Sequence, residues 1–233
     1  MLEALTVYLL HAMVTWIPLD RQPEAPWVAV ARYESIARDI ARVCLRDDEP
    51  PMFKGSDGIA RSALVLASVG TFESGLAKEV ELRCFEDPGR CWFYSLWQMN
   101  PEEGVILDGP IFVYGRHKDA AWLASHADEV IHGPALARSR PLAARVALHM
   151  IRFSISRSGT LGSYTGEGGN GPKARARLDS ALWFAHKHPF NPDSPPLQGL
   201  ELSSLLMAQM ARLMAVSSNV VRWVDVTAAP RYE

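Results

Sequence analysis

The sequence predicts a mainly α protein, a helical domain interrupted by one small β-hairpin. Three observations carry that prediction. Seven stretches show apolar residues at helical spacing, each about three to five turns long. A single interval, Leu76 to Gly115, breaks the pattern with Pro88-Gly89, Pro101, Gly104 and Asp108-Gly109-Pro110. Within that interval Val105-Ile106-Leu107 and Ile111-Phe112-Val113-Tyr114 read as two short strands across a turn. At 233 residues the chain is long enough to bury a sizeable core. A formal charge of -2 argues against binding nucleic acid through overall charge.

The elements follow in order. Met1 to Ile17 is the most membrane-like piece, yet it is shorter than the ~20 apolar residues a crossing helix needs. It lacks a basic start and carries Glu3, so it reads as a packed or partner-bound helix and not as a signal peptide. Residues 1–26 form this helix and a linker with three prolines between Pro18 and Pro26. Trp27 to Arg46 is helical, with Val30, Ile36, Ile40 and Val43 near one face, and Asp47-Asp48-Glu49-Pro50-Pro51 stops it. A turn at Lys54 to Gly58 leads into a helix from Ile59 to Ser74, which Gly75 caps. After the hairpin come helical patterns at Lys118–Ile131, Pro141–Ser156, Lys173–His186 and Leu200–Val216. The division expected is 27–190 as the main domain and 191–233 as a helix and tail that pack on it or on a partner. No internal repeat is present.

Chemistry concentrates at Thr71-Phe72-Glu73-Ser74-Gly75. Ile59, Ala63, Leu66, Gly70 and Glu73 share one helical face, the one expected to be buried. Burial disfavours the charged carboxylate, and the partial negative charge at a helix C-terminus acts the same way. Both effects favour a carboxyl that keeps its proton, as a general acid for a glycosidic oxygen requires. Ser74 is a solvated helix-end hydroxyl or a partner for substrate or for Glu73. Downstream, Ser95-Leu96-Trp97-Gln98-Met99-Asn100-Pro101 puts an aromatic ring beside amides. Sugars are bound by such rings and by groups that both donate and accept hydrogen bonds.

Phe72-Glu73-Ser74-Gly75 followed by Ser95 to Pro101 resembles the lytic transglycosylase and goose-type lysozyme superfamily. There a helix ends in Glu-Ser, and a Gly-Leu-Met-Gln-Ile-Asn-Pro-like element follows. Ser95 stands for the usual Gly and Trp97 for the usual Met, whereas Gln98, Asn100 and Pro101 match. Ser163-Tyr164-Thr165-Gly166 echoes a third element, Ala-Tyr-Asn-Ala-Gly, one residue short and without the Asn. The resemblance spans residues 59 to 185 or so. It implies a lysozyme-like α+β fold with a substrate cleft, and a peptidoglycan-degrading lytic transglycosylase needing no cofactor. Glu73 is then the general acid and base between N-acetylmuramic acid and N-acetylglucosamine. Ser74, Ser95, Trp97, Gln98, Asn100 and Tyr164 are the candidate substrate-binding residues.

Two alternatives stay open: a lysozyme-type muramidase, and a degenerate wall-binding structural protein. Inverting hydrolysis needs a second carboxylate ~6.5–9.5 Å from the first. Several goose-type enzymes carry an Asp soon after the Gln, where this chain has Asn100. Glu86, Asp87 and Glu167 are the remaining candidates, and transglycosylation is favoured. The implied partner is the peptidoglycan glycan strand, with a protein partner through the apolar terminal helices as a further option. The implied place of action is the cell wall, reached by a virion or as part of a longer secreted chain.

Other signals are weaker. Gly166 to Gly171 fits G-x-G-x-x-G without the strand that dinucleotide binding requires, and Pro172 stands where a phosphate loop has Lys. Between Arg138 and Arg177 lie seven Arg and one Lys against the single carboxylate Glu167. That run is a solvated helix surface, a face for anionic cell-wall polymer, or a nucleic-acid patch, the last weakened by the near-neutral total charge. His186-Lys187-His188 is poorly spaced for shared helical ligation, so no metal is expected. Cys84 and Cys91 either close a small loop or remain thiols. The Met-rich Leu200–Val216 stripe is core or an oligomer contact.

Overall fold

The computed structural model describes residues 1–81, 91, 93–101, 104–108, 111–114, 120–165, 171–193, 203–209 and 211. Among them the protein is mainly helical. The elements are α1 (Leu2–Trp16), α2 (Pro26–Cys44), α3 (Gly58–Ser74), β1 (Val105–Asp108), β2 (Ile111–Tyr114), α4 (Ala120–Ser125), α5 (Gly133–Arg138), α6 (Arg140–Ser158), α7 (Gly162–Thr165) and α8 (Pro172–Lys187).

Helix α3 is the axis of the core. Its sequence carries only Arg61 and Glu73 as charged residues, and from Ser62 to Thr71 every residue is buried. The expectation of one buried face was therefore too narrow, since a helix apolar all round is buried all round. Around it pack α1, α2, α6 and α8. Helix α1 buries Leu5, Tyr8, Leu9, Ala12 and Met13 in the same core. It is thus a core helix that spends its apolar residues internally. No helix among the described residues is long and apolar enough to cross a membrane. Its end is clamped from residues 203–209, where Gln209 Oε1 accepts from the Leu19 N–H (3.0 Å) and Nε2 donates to the Val14 carbonyl (3.3 Å).

Helices α2, α3, α6 and α8 begin and end within two residues of the ranges the sequence predicts. The Lys118–Ile131 prediction was too long. Helix α4 stops at Ser125, and a 3-10 turn over Ala127–Glu129 follows. His126 shows why: its ring nitrogen bonds the Trp122 carbonyl, satisfying the helix end from a side chain. The short α5, opened by Gly133-Pro134, was not anticipated. The hairpin is as expected, β1 and β2 antiparallel with Val105 opposite Tyr114 and Asp108 opposite Ile111. Val105 also exchanges backbone hydrogen bonds with Ile131, which seats the hairpin on the chain leading to α5.

A buried ion cluster fixes the α2–α3 connection to α6. Glu49, whose side chain is fully buried, accepts from Arg145 Nε (2.6 Å) and His149 Nε2 (2.7 Å) on Oε1, and from Arg152 on Oε2 (3.0 Å). Burial pushes the Glu49 carboxyl up, but hydrogen bonds from His149, Arg145 and Arg152 outweigh it and hold the group at about 2. Nearby Cys44 is a free thiol, and burial pushes it up to about 12. Cys91 is in a disulfide, while Cys84 lies outside the described residues.

Candidate functional site

Glu73 sits in the last turn of α3, which ends because Gly75 adopts φ 60° and donates its N–H to the Thr71 carbonyl at 2.8 Å. The helix end consumes Ser74: its hydroxyl donates to the Gly70 carbonyl (2.7 Å) and accepts from the Leu76 N–H (3.1 Å). Ser74 is therefore a capping residue and does not line the cleft that Glu73 faces.

That cleft has a volume of about 360 Å³ and is lined by Glu73, Phe93, Gln98, Met99, Asn100, Met150, Tyr164 and Thr165. The chain separates these residues widely, and three local devices bring them together. The first is α3, which delivers Glu73. The second is a tight turn at residues 95–98, closed by reciprocal backbone hydrogen bonds between Tyr94 and Met99 (2.8 and 3.0 Å). Within the turn Ser95 (φ 65°) and Gln98 (φ 48°) occupy the left-handed region. The Gln98 amide donates to the Ser95 carbonyl at 2.9 Å, which orients the side chain and leaves its own Oε1 without a partner among the described residues. The third is α7, whose Tyr164 hydroxyl donates to the Trp97 carbonyl at 2.5 Å and ties this turn to the end of α6.

Trp97 corrects the sequence reading. Its ring is 1% exposed, and its Nε1–H donates to the Leu66 carbonyl at 2.9 Å. An ideal Cβ on Gly70 would lie 3.2 Å from that nitrogen, so the glycine permits close approach of the ring to α3. Trp97 thus anchors the turn to the helix that carries Glu73 and has no free face to offer a sugar. Ser95 is likewise buried, with its hydroxyl facing the Trp97 N–H at 3.3 Å. The exposed aromatic ring in the cleft is Phe93, 53% exposed, which sequence reasoning missed.

Arg177 is the second residue missed. Nη2 and Nε of this buried side chain both donate to Glu73 Oε1, at 2.7 and 3.0 Å. Its Nη1 donates to the Lys173 carbonyl, and its own carbonyl accepts from Ser68 on α3. The guanidinium also lies over the Phe72 ring, 5.6 Å from its centre. Glu73 is therefore a carboxylate with one oxygen occupied, paired with Arg177, a partner the sequence reading did not name. Oε2 accepts no hydrogen bond among the described residues.

Four of the eight cations between Arg138 and Arg177 are paired with carboxylates of the fold. Arg140 bonds Glu81 and Asp39 (3.0 Å to the latter), Arg145 and Arg152 bond Glu49, and Arg177 bonds Glu73. Those carboxylates lie between positions 39 and 81, which a local charge count does not see. His188 packs against His11 and Phe184, and no group of metal-binding side chains occurs among the described residues. Glu86, Asp87 and Glu167 lie outside the described residues, as does most of the Gly166 to Gly171 loop. Comparison with family models, with curated proteins and with solved structures finds no match to this chain.

Proposed function

We propose that this protein is a peptidoglycan-degrading lytic transglycosylase in which Glu73 is both general acid and general base. The observation that carries the reading is the convergence of Glu73, Gln98, Asn100 and Tyr164 on one cleft. The same residues form the motif resemblance, although Tyr164 lies 91 positions after Glu73 in the chain.

Arg177 holds Oε1 from two donors, which fixes the carboxyl plane and leaves Oε2 for the bridging oxygen between N-acetylmuramic acid and N-acetylglucosamine. Glu73 first takes up a proton on Oε2 from solvent, and passing that proton to the bridging oxygen breaks the glycosidic bond. The same oxygen then takes the proton of the muramyl C6 hydroxyl as that hydroxyl closes an anhydro ring. Gln98 presents an amide whose Oε1 has no partner among the described residues and can accept from a substrate N–H or O–H, and Phe93, which is exposed, adds aromatic surface to the cleft. Glu73 is the only carboxylate in the cleft lining among the described residues, and Asn100 cannot act as a base for water. That favours transglycosylation over inverting hydrolysis, which uses two carboxylates.

Glu73→Gln should reduce turbidity loss of purified cell walls by about 10²–10⁴-fold, the usual worth of a general acid. The amide keeps an oxygen for Arg177, so circular dichroism should be unchanged. Mass spectrometry of wild-type products should show anhydro-muramyl ends. Reducing ends would make the protein a muramidase instead. Wall binding without any released product would make it a degenerate binding protein.

A further inference from the structure

The Glu73 cleft does not end at Asn100. That residue also lines a neighbouring opening of about 270 Å³, whose walls include Tyr94, Pro101, His132, Gly133 and Pro134. The course of the chain accounts for the adjacency. Gln98, Met99 and Asn100 line the cleft, and Asn100 and Pro101 line the opening beyond it. One strip of backbone, at most about 11 Å from Gln98 to Pro101, therefore borders both. The rings of the second opening are seated by glycines. A Cβ on Gly133 would overlap the Tyr94 ring, so only glycine lets that ring lie against the start of α5. A Cβ on Gly104 would lie 3.3 Å from two atoms of the His132 ring. His132 is exposed, and its side chain makes no capping bond to α5, so the imidazole is not consumed by the helix that follows it.

No Asp, Glu, Lys or Arg is in this lining among the described residues. A phenol, an imidazole, a carboxamide and two proline rings offer apolar surface with hydrogen-bonding groups at its margin. That mixture suits an uncharged ring that carries hydroxyls and an amide. We infer that this opening is a second sugar-binding site continuous with the Glu73 cleft, that it takes a neutral N-acetyl amino sugar, and that His132 and Tyr94 recognise it. The opening and its continuity stand on their own geometry; the choice of an N-acetyl amino sugar rests on the peptidoglycan reading of the cleft. A strand with its scissile bond at Glu73 then lays a further ring beyond Asn100. Fragments that fill only the Glu73 side bind more weakly.

The test titrates the full chain with the trimer of N-acetylglucosamine and follows two side chains by NMR. The Gln98 amide reports on the cleft and the His132 ring C–H on the second site, each assigned through its alanine variant. Both signals should move along one binding curve, because one ligand spans both sites. His132→Ala, which removes an exposed side chain with no capping role, should weaken the affinity read at Gln98 by about three- to tenfold, the scale of one neutral hydrogen bond or ring contact. Galacturonic acid trimer, with a carboxylate on every ring, should leave the His132 signal in place. Movement of the Gln98 signal alone, an affinity unchanged in His132→Ala, or equal binding of the acidic trimer would overturn the inference and leave the reading of the Glu73 cleft standing. If neither signal moves, the sugar reading of the cleft falls and this site falls with it.

Discussion

Replacing Trp97 by Phe separates the substrate-binding role that the sequence suggests from the core role that the fold gives the residue. In the fold the ring is 1% exposed, packed where α3 has a glycine, and its Nε1–H donates to the Leu66 carbonyl at 2.9 Å. Phe removes that donor and the extra ring volume. The lost hydrogen bond is worth about 1 kcal/mol, and the cavity left behind adds roughly 1–2 kcal/mol. The expected loss is therefore about 2–3 kcal/mol, a substantial part of the ~5–15 kcal/mol that stabilises a typical domain. Urea unfolding followed by far-ultraviolet circular dichroism reads this as a midpoint about 1 M lower. Wall binding, measured well below that midpoint, should fall only modestly, because the cleft keeps Phe93 and Gln98. A stability change under about 0.5 kcal/mol together with lost wall binding would refute the argument. It would mean that the ring works at the substrate and not in the core.

Two further outcomes follow from neighbouring features. Ser95 pays for its left-handed φ of 65° with only a 3.3 Å contact from its hydroxyl in return, so Ser95→Gly should raise the urea-derived stability by about 0.5 kcal/mol; a loss above about 1 kcal/mol would show that the hydroxyl matters more than the backbone. Glu49 is held at about 2, below its unfolded value, so its contribution is complete above the ordinary carboxylate range and is lost as pH falls through that range toward 2. Stability measured from pH 6 to 2 should therefore drop by up to roughly 3 kcal/mol more in the wild type than in Glu49→Gln, and parallel curves would exclude Glu49 as a source of acid sensitivity.

What the sequence discloses about this fold divides along a physical line. Helices α2, α3, α6 and α8 were legible because their residues at periods of three and four report burial locally. So was the hairpin, since Gly and Pro mark turns wherever they occur. The Glu73–Arg177 pair was not legible, because it joins positions 104 apart and neither local pattern encodes the other. Charge counting along the chain failed for the same reason: the Arg-rich α6 finds its carboxylates at Glu49 and Asp39, on and after α2.

The Trp97-Gln98 pair failed more subtly. Adjacent aromatic and amide side chains read as one sugar-binding surface only if the backbone points both the same way. Here the turn takes left-handed φ values at Ser95 and Gln98, and it sends Trp97 into the core while Gln98 lines the cleft. The Ser95 position was the usable clue. The resembling family has Gly there, and a required Gly signals a backbone that leaves the extended region, so neighbours in sequence need not share a face. Followed through, that clue removes Trp97 from the surface and calls for the aromatic ring to come from elsewhere in the segment. Phe93, just outside the Tyr94–Met99 closure, is the residue that meets the requirement.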